Sequence, residues 1–199
     1  MKKLIGWRIA ILVADGFEQV ELTEPRAALE DEGAVTEVVS PAVGRVHAWR
    51  HGDWGKRIRV DVPLARVQAA IYDGLLLPGG VMNPDTLRLH PAAIELIRAF
   101  ARNQRPIASI CHGPWTLIDA DHVRGKTMTS WPSLKADLRN AGANWVDEEV
   151  VRDGLLVTSR KPSDRPAFNR KLVDMFAELP AIVERAAPQP QVPPLQARP

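Results

Sequence analysis

The sequence predicts an α/β fold: a flavodoxin-like, doubly wound, mostly parallel sheet with helices on both faces and a nucleophile elbow at one strand end. Three observations carry this. Apolar, β-rich runs alternate with amphipathic stretches along the chain, the pattern of parallel strands joined by crossover helices. Several of these runs are continuously apolar, as expected of strands covered on both faces. Glycine and proline close two of them, in LLLPGG and ASICHGP, where a strand must turn sharply into the next segment.

Residues 7–13 (WRIAILV) read as the first strand. Residues 20–32 read as a helix, with Val20, Ala27, Ala28 and Leu29 among Glu21, Glu24, Arg26, Glu30 and Asp31, and Gly33 as its stop. AVTEVVS (34–40) is the next strand, and 41–63 lacks helical period, reading as a loop into a strand at about 57–62, an antiparallel excursion. YDGLLLP (72–78) is a third strand, 91–103 a helix with Ala92, Ala93, Leu96, Ile97 and Phe100 on one stripe, and PIASI (106–110) a short strand ending at Cys111. A helix over 113–121 comes next, with Pro114 tolerated in its first turn. KTMTS, 132–141, VV and LLVTS continue the alternation, and a helix over 164–178 closes it. One domain over 1–180 results, with residues 181–199 as a Pro-rich tail packed on the domain or on a partner subunit.

Composition narrows the classes of function. A net charge of +2, with Lys and Arg scattered among Asp and Glu, gives no basic stripe with interleaved aromatics, so no nucleic-acid partner is expected. No run approaches the ~20 apolar residues of a membrane span, and the apolar N-terminal run is broken by Arg8 and ends at Asp15–Gly16, unlike a signal peptide. A single cysteine forms no internal disulfide and fits a reducing compartment, so a cytoplasmic protein is expected.

That cysteine is the leading candidate for chemistry. Cys111 comes directly after an apolar strand and precedes His112–Gly113–Pro114 and a helix. A residue so placed is lifted to the carboxyl edge of the sheet, where sites of open α/β folds lie. The helix end beyond it is expected to stabilise the thiolate and lower its pKa. An isolated cysteine is more often an inert core residue; the strand-end position and the glycine after it favour the nucleophile. Gly79–Gly80, ending the neighbouring strand, bring bare backbone to the same edge, and their N–H groups with that of His112 are candidate oxyanion donors. Glu18, after the first strand, points to the same edge and is expected within hydrogen-bond reach of the sulfur, with its pKa raised by burial. His122 reads as structural, and His47 and His51, with Trp49 and Trp54, as a solvated rim; no metal site is expected.

The segments AILVADGFEQVELTEP, YDGLLLPGG, PIASICHGPWTLI, VRGKTMTSWPSLKADLRNAGANWVDEEVV and DGLLVTSRKPSD occur in one order from about Arg8 to Phe176. In these blocks the chain resembles the PfpI/ThiJ family, which includes intracellular protease I and the Parkinson-associated protein deglycase, within the class I glutamine amidotransferase-like superfamily. The resemblance implies Cys111 as nucleophile, His112 as its neighbour, Glu18 as the acid touching the thiol, and Gly80 and His112 as oxyanion donors. It also implies a homodimer or higher homo-oligomer in which Asp85, in GGVMNPDTLRLH, orients His112 of the partner subunit. That loop is a residue longer than the family pattern and carries Asp for Glu. None of the histidines 47, 51, 90, 112 and 122 lies in the last third of the chain, which argues against the glutaminase arrangement.

The expected function is a cysteine-dependent hydrolase or stress-response protein attacking a carbonyl of a peptide or small molecule: peptidase, glyoxalase or deglycase. The alternatives are a redox sensor using oxidation of Cys111, and a chaperone. No cofactor is expected, since the turn ADGFE lacks a G-x-G-x-x-G fingerprint.

Overall fold

A computed structural model gives the structure of the protein and describes residues 2–181. The tail expected over 181–199 lies, beyond Ala181, outside the described residues. In chain order the elements are β1 (Arg8–Leu12), β2 (Phe17–Glu18), α1 (Gln19–Asp31), β3 (Val35–Ser40), β4 (Arg45–Arg50), β5 (Asp53–Arg59), β6 (Val62–Pro63), β7 (Gly74–Leu77) and α2 (Met82–Arg88). They continue with α3 (Pro91–Arg102), β8 (Ile107–Ile110), α4 (Trp115–Asp119), β9 (Thr127–Met128), α5 (Lys135–Asn140), β10 (Asn144–Trp145), β11 (Val150–Asp153), β12 (Leu156–Ser159) and α6 (Arg165–Ala177).

The main sheet has seven strands in the order β11-β12-β8-β7-β1-β3-β6. Every pairing in it is parallel except the edge hairpin β11–β12. From β1 the chain winds outward through β3 to β6, then returns to the other side of β1 for β7. The carboxyl ends of β1 and β7 therefore flank the topological switch point, where doubly wound folds bind ligands.

Period-two alternation sends strand side chains into two cores. Leu12, Leu75 and Leu77 pack with Leu87, Ile97, Phe100, Leu117 and Leu138 from α2 to α5. Ile9, Ile11 and Leu76 pack on the other face with Leu22, Leu29, Phe168, Leu172 and Phe176 from α1 and α6.

Three details depart from the sequence reading. The loop assigned to 41–63 holds a full hairpin, β4–β5, which joins β2 in a separate three-stranded sheet. Its turn, His51–Gly52, has φ values of 50° and 85°, the twist that two-residue hairpins favour. A short helix, α2, comes soon after Gly80, because Asn83 and Leu87 anchor it despite little apolar period. The helix expected over 113–121 is regular only over Trp115–Asp119.

Candidate active site

Cys111 continues from β8 with φ of 62°, a left-handed backbone that a residue with a side chain rarely adopts. Hydrogen bonds hold the strain: the Cys111 N–H donates to the carbonyl of Ser159 at 3.0 Å, and the Trp131 N–H donates to the carbonyl of Cys111 at 2.9 Å. Gly113 completes the turn. A Cβ there would lie 2.6 Å from Ser109 Oγ and 2.9 Å from the carbonyl oxygen of Ile110, so only glycine fits beneath the elbow.

The carboxyl that meets the sulfur is Glu21, not Glu18. Glu18 ends β2 in extended backbone (φ −66°, ψ 118°) and precedes the first residue of α1. It lies half-buried on the wall of the cleft, raised by desolvation, with His51 and Arg165 pulling the other way. Three residues on, α1 turns Glu21 wholly inward. Glu21 Oε2 accepts the Gly79 N–H at 2.9 Å, and the carboxyl hydrogen-bonds with Cys111. Its Oε1 is buried without a hydrogen-bond partner, so little offsets the cost of burying the charge. Burial, aided by the negative charge of Glu18, raises the pKa of Glu21 to about 8. A signal was present in the sequence: Glu21 shares a buried stripe with Leu22, Pro25 and Leu29, and an acid on such a stripe is out of place unless it has a task.

The two glycines divide their work. The Gly79 N–H is spent on Glu21, so Gly79 is not an oxyanion donor. The N–H groups of Gly80 and His112 hydrogen-bond the sulfur. Gly80 has φ of 82°, and a Cβ there would lie 2.8 Å from the backbone nitrogen of Glu18. Asn83, fully buried, ties the site's loops together and was not singled out from sequence. Its Oδ1 accepts the Ala14 N–H after β1 at 2.7 Å, and its Nδ2 donates to the carbonyls of Pro78 and Gly79 after β7.

The expected lowering of the thiol pKa is overturned. Burial pushes the Cys111 thiol up and the Glu21 carboxylate pushes it further, against the pull of the Gly80 and His112 N–H groups. The helix end expected to help belongs to α4, only five residues long. The buried pair thus keeps its protons at neutral pH, and its first ionisation belongs to the pair rather than to either member.

His112 lies with Nδ1 3.4 Å from the sulfur. Its Nε2 is 3.3 Å from Ser133 Oγ, and its ring stacks on Trp131 with centroids 5.9 Å apart. Desolvation lowers its pKa, so the ring is neutral at pH 7. Ser133 is the orienting partner that the sequence did not reveal. Asp85 is exposed in the first turn of α2 and makes no ion pair among the described residues. His47 stacks on Trp54 at 4.6 Å, and Trp49 meets Trp54 edge-on at 5.5 Å. His122, half-buried and pushed down by desolvation, lies apart from the elbow.

A cleft of about 230 Å³ opens over the sulfur, with Glu18, Glu21, Cys111 and His112 among its lining. A thiol, a carboxyl of raised pKa, a neutral imidazole and two N–H donors at a switch point form a small set for covalent chemistry at carbon. The sequence profile of the DJ-1/PfpI family matches residues 7–175. The chain belongs to the DJ-1/PfpI family. This DJ-1/PfpI chain is 40% identical over 169 residues to the Bacillus subtilis protein named "Putative cysteine protease YraA", covering 85% of the chain and 98% of that protein. An uncharacterized Staphylococcus epidermidis protein is 42% identical over 168 residues, covering 83% of the chain and 95% of the relative. Among solved structures, Drosophila melanogaster DJ-1beta superposes with a TM-score of 0.77 at 28% identity, over 88% of the chain and 92% of that structure. A two-domain Anabaena variabilis protein with DJ-1/ThiJ/PfpI-like and ferritin-like domains gives 0.81 at 29%, over 91% of the chain and 52% of that protein. Among the described residues no helix is long and apolar enough to cross a membrane.

Proposed function

We propose that the protein is a cysteine-dependent enzyme in which Cys111 attacks a carbonyl carbon. The observation that carries this reading is the contact of one strained, buried thiol with Glu21 and with the N–H groups of Gly80 and His112. In the first step sulfur bonds to carbon and the carbonyl π pair moves to oxygen. The thiol proton passes through Glu21 or His112 to that oxygen, which the N–H groups of Gly80 and His112 would steady. Addition to an aldehyde gives a hemithioacetal with nothing else consumed. The same step begins glyoxalase, deglycase and peptidase chemistry. Turnover of methylglyoxal by wild type, set against Cys111→Ser, is the test. Turnover is expected to vanish in the variant, and equal rates would remove the thiol from the reaction.

A second reading rests on Glu21 alone. A carboxyl still protonated at neutral pH, beside the sulfur, can donate a hydrogen bond to a sulfinate and hold that oxidation state. Peroxide titration tracked by intact mass supports this reading if Cys111 stops at a gain of two oxygens in wild type and runs on to three in Glu21→Leu, which has no donor.

A further inference from the structure

Apart from Glu18, the cleft over Cys111 is walled by apolar groups. Above the sulfur its walls are Trp49 from β4, Trp131 from the segment after β9, Val81 and Pro162. Two of these walls are open to solvent, Val81 at 57% and Trp131 at 38%. Each indole is held in place. The Trp131 ring stacks on His112 while its backbone N–H donates to the Cys111 carbonyl, and Trp49 is buttressed edge-on by Trp54. Exposed apolar groups gathered around a reactive atom mark a ligand surface, and fixed aromatic walls favour a flat apolar guest by area and by ring geometry.

From these walls we infer that the site takes carbonyl compounds with a flat apolar group, aryl above all, on the attacked carbon or on the carbon next to it, with Trp49 and Trp131 as the specificity-determining walls. This rests on the reading of Cys111 as the nucleophile and adds the substrate class. A ring against Trp49 holds the carbonyl carbon over the sulfur, and the addition is the one already written: an S–C bond forms, the π pair goes to oxygen, and the thiol proton goes after it. A cleft of about 230 Å³ has room for a substituted benzene ring.

Two measurements separate this inference from the reading beneath it. In the first, phenylglyoxal and methylglyoxal are compared as substrates. The kcat/KM ratio is expected to favour phenylglyoxal by about tenfold or more. Trp49→Ala should lower that ratio about threefold or more, chiefly through KM, and Trp49→Phe should largely restore it. In the second, which needs no turnover, Cys111 is alkylated with N-phenylmaleimide and N-methylmaleimide, each rate divided by that with glutathione. The phenyl reagent is expected to gain about tenfold over the methyl one, and the gain should fall in Trp49→Ala and in Trp131→Ala. Turnover of methylglyoxal without a phenyl preference overturns the aromatic slot and leaves the nucleophile standing. A phenyl preference in alkylation with no turnover of either glyoxal keeps the slot and removes glyoxalase chemistry. Equal alkylation ratios, or labelling of Cys111 by neither reagent, overturn the slot outright.

Discussion

Replacing Glu21 by glutamine tests the electrostatics of the site without changing its shape. The side chain is fully buried, and its pKa rises from 4.5 to about 8. The unfolded chain ionises this carboxyl from pH 4.5 upward, whereas the folded chain keeps it protonated until about pH 8. Between those values the folded state binds more protons, so its stability falls as pH rises. The slope is about 1.4 kcal/mol per pH unit, and the whole window amounts to about 5 kcal/mol. Glutamine has no proton to lose and can still accept the Gly79 N–H. Glu21→Gln should therefore gain on wild type as pH rises, by about 3 kcal/mol between pH 5 and pH 7.5. Urea unfolding of both proteins across that range measures the difference directly. A difference that stays flat from pH 5 to 8 would mean that Glu21 is already ionised in the folded protein, and the proton inventory of the site would fall with it.

Turnover should rise with pH through about 8, as the Cys111–Glu21 pair gives up its first proton, and that limb should disappear from the pH–rate profile of Glu21→Gln. Asn83→Ala leaves the Ala14 N–H and the Pro78 and Gly79 carbonyls without their partner, and should cost about 2–4 kcal/mol in denaturant unfolding; a loss under about 0.5 kcal/mol would show that the staple is dispensable. If a second copy completes the site through Asp85, Asp85→Ala should lower turnover about tenfold or more while leaving alkylation of Cys111 unchanged. A concentration-independent monomer of full activity in analytical ultracentrifugation would end that idea.

The parallel core was legible because its strands are apolar throughout and stop at glycine or proline, as in LLLPGG and IASICHG. The elbow was legible because a cysteine directly after such a strand has one place to be. The acid was misread by three residues. Linear order puts Glu18 at the strand end, but only the phase of α1 decides which carboxyl turns inward, and that phase is set by Leu22 and Leu29 packing on the sheet. Ser133 and Asn83 were invisible for a different reason: each acts through a single long-range contact, to His112 and to Ala14, and no local pattern encodes one. The thiol pKa runs opposite to the sequence expectation because α4 is only five residues long and the sulfur is buried, and neither fact is written in the local sequence.

The hairpin β4–β5 belongs to a different sheet from the elbow, and only the short pairing of Phe17 and Glu18 with β4 joins it to the site's own loops as strand to strand. The reacting atoms are thus fastened to the main sheet, while one wall, Trp49, is carried on a strand outside it, held by the buried side chains of Val46 and Ala48. Selectivity can then drift without dismantling reactivity. Exchange of the hairpin between relatives would re-select the substrate and spare the elbow, which makes residues 45–59 a ready-made cassette for altering what this thiol attacks.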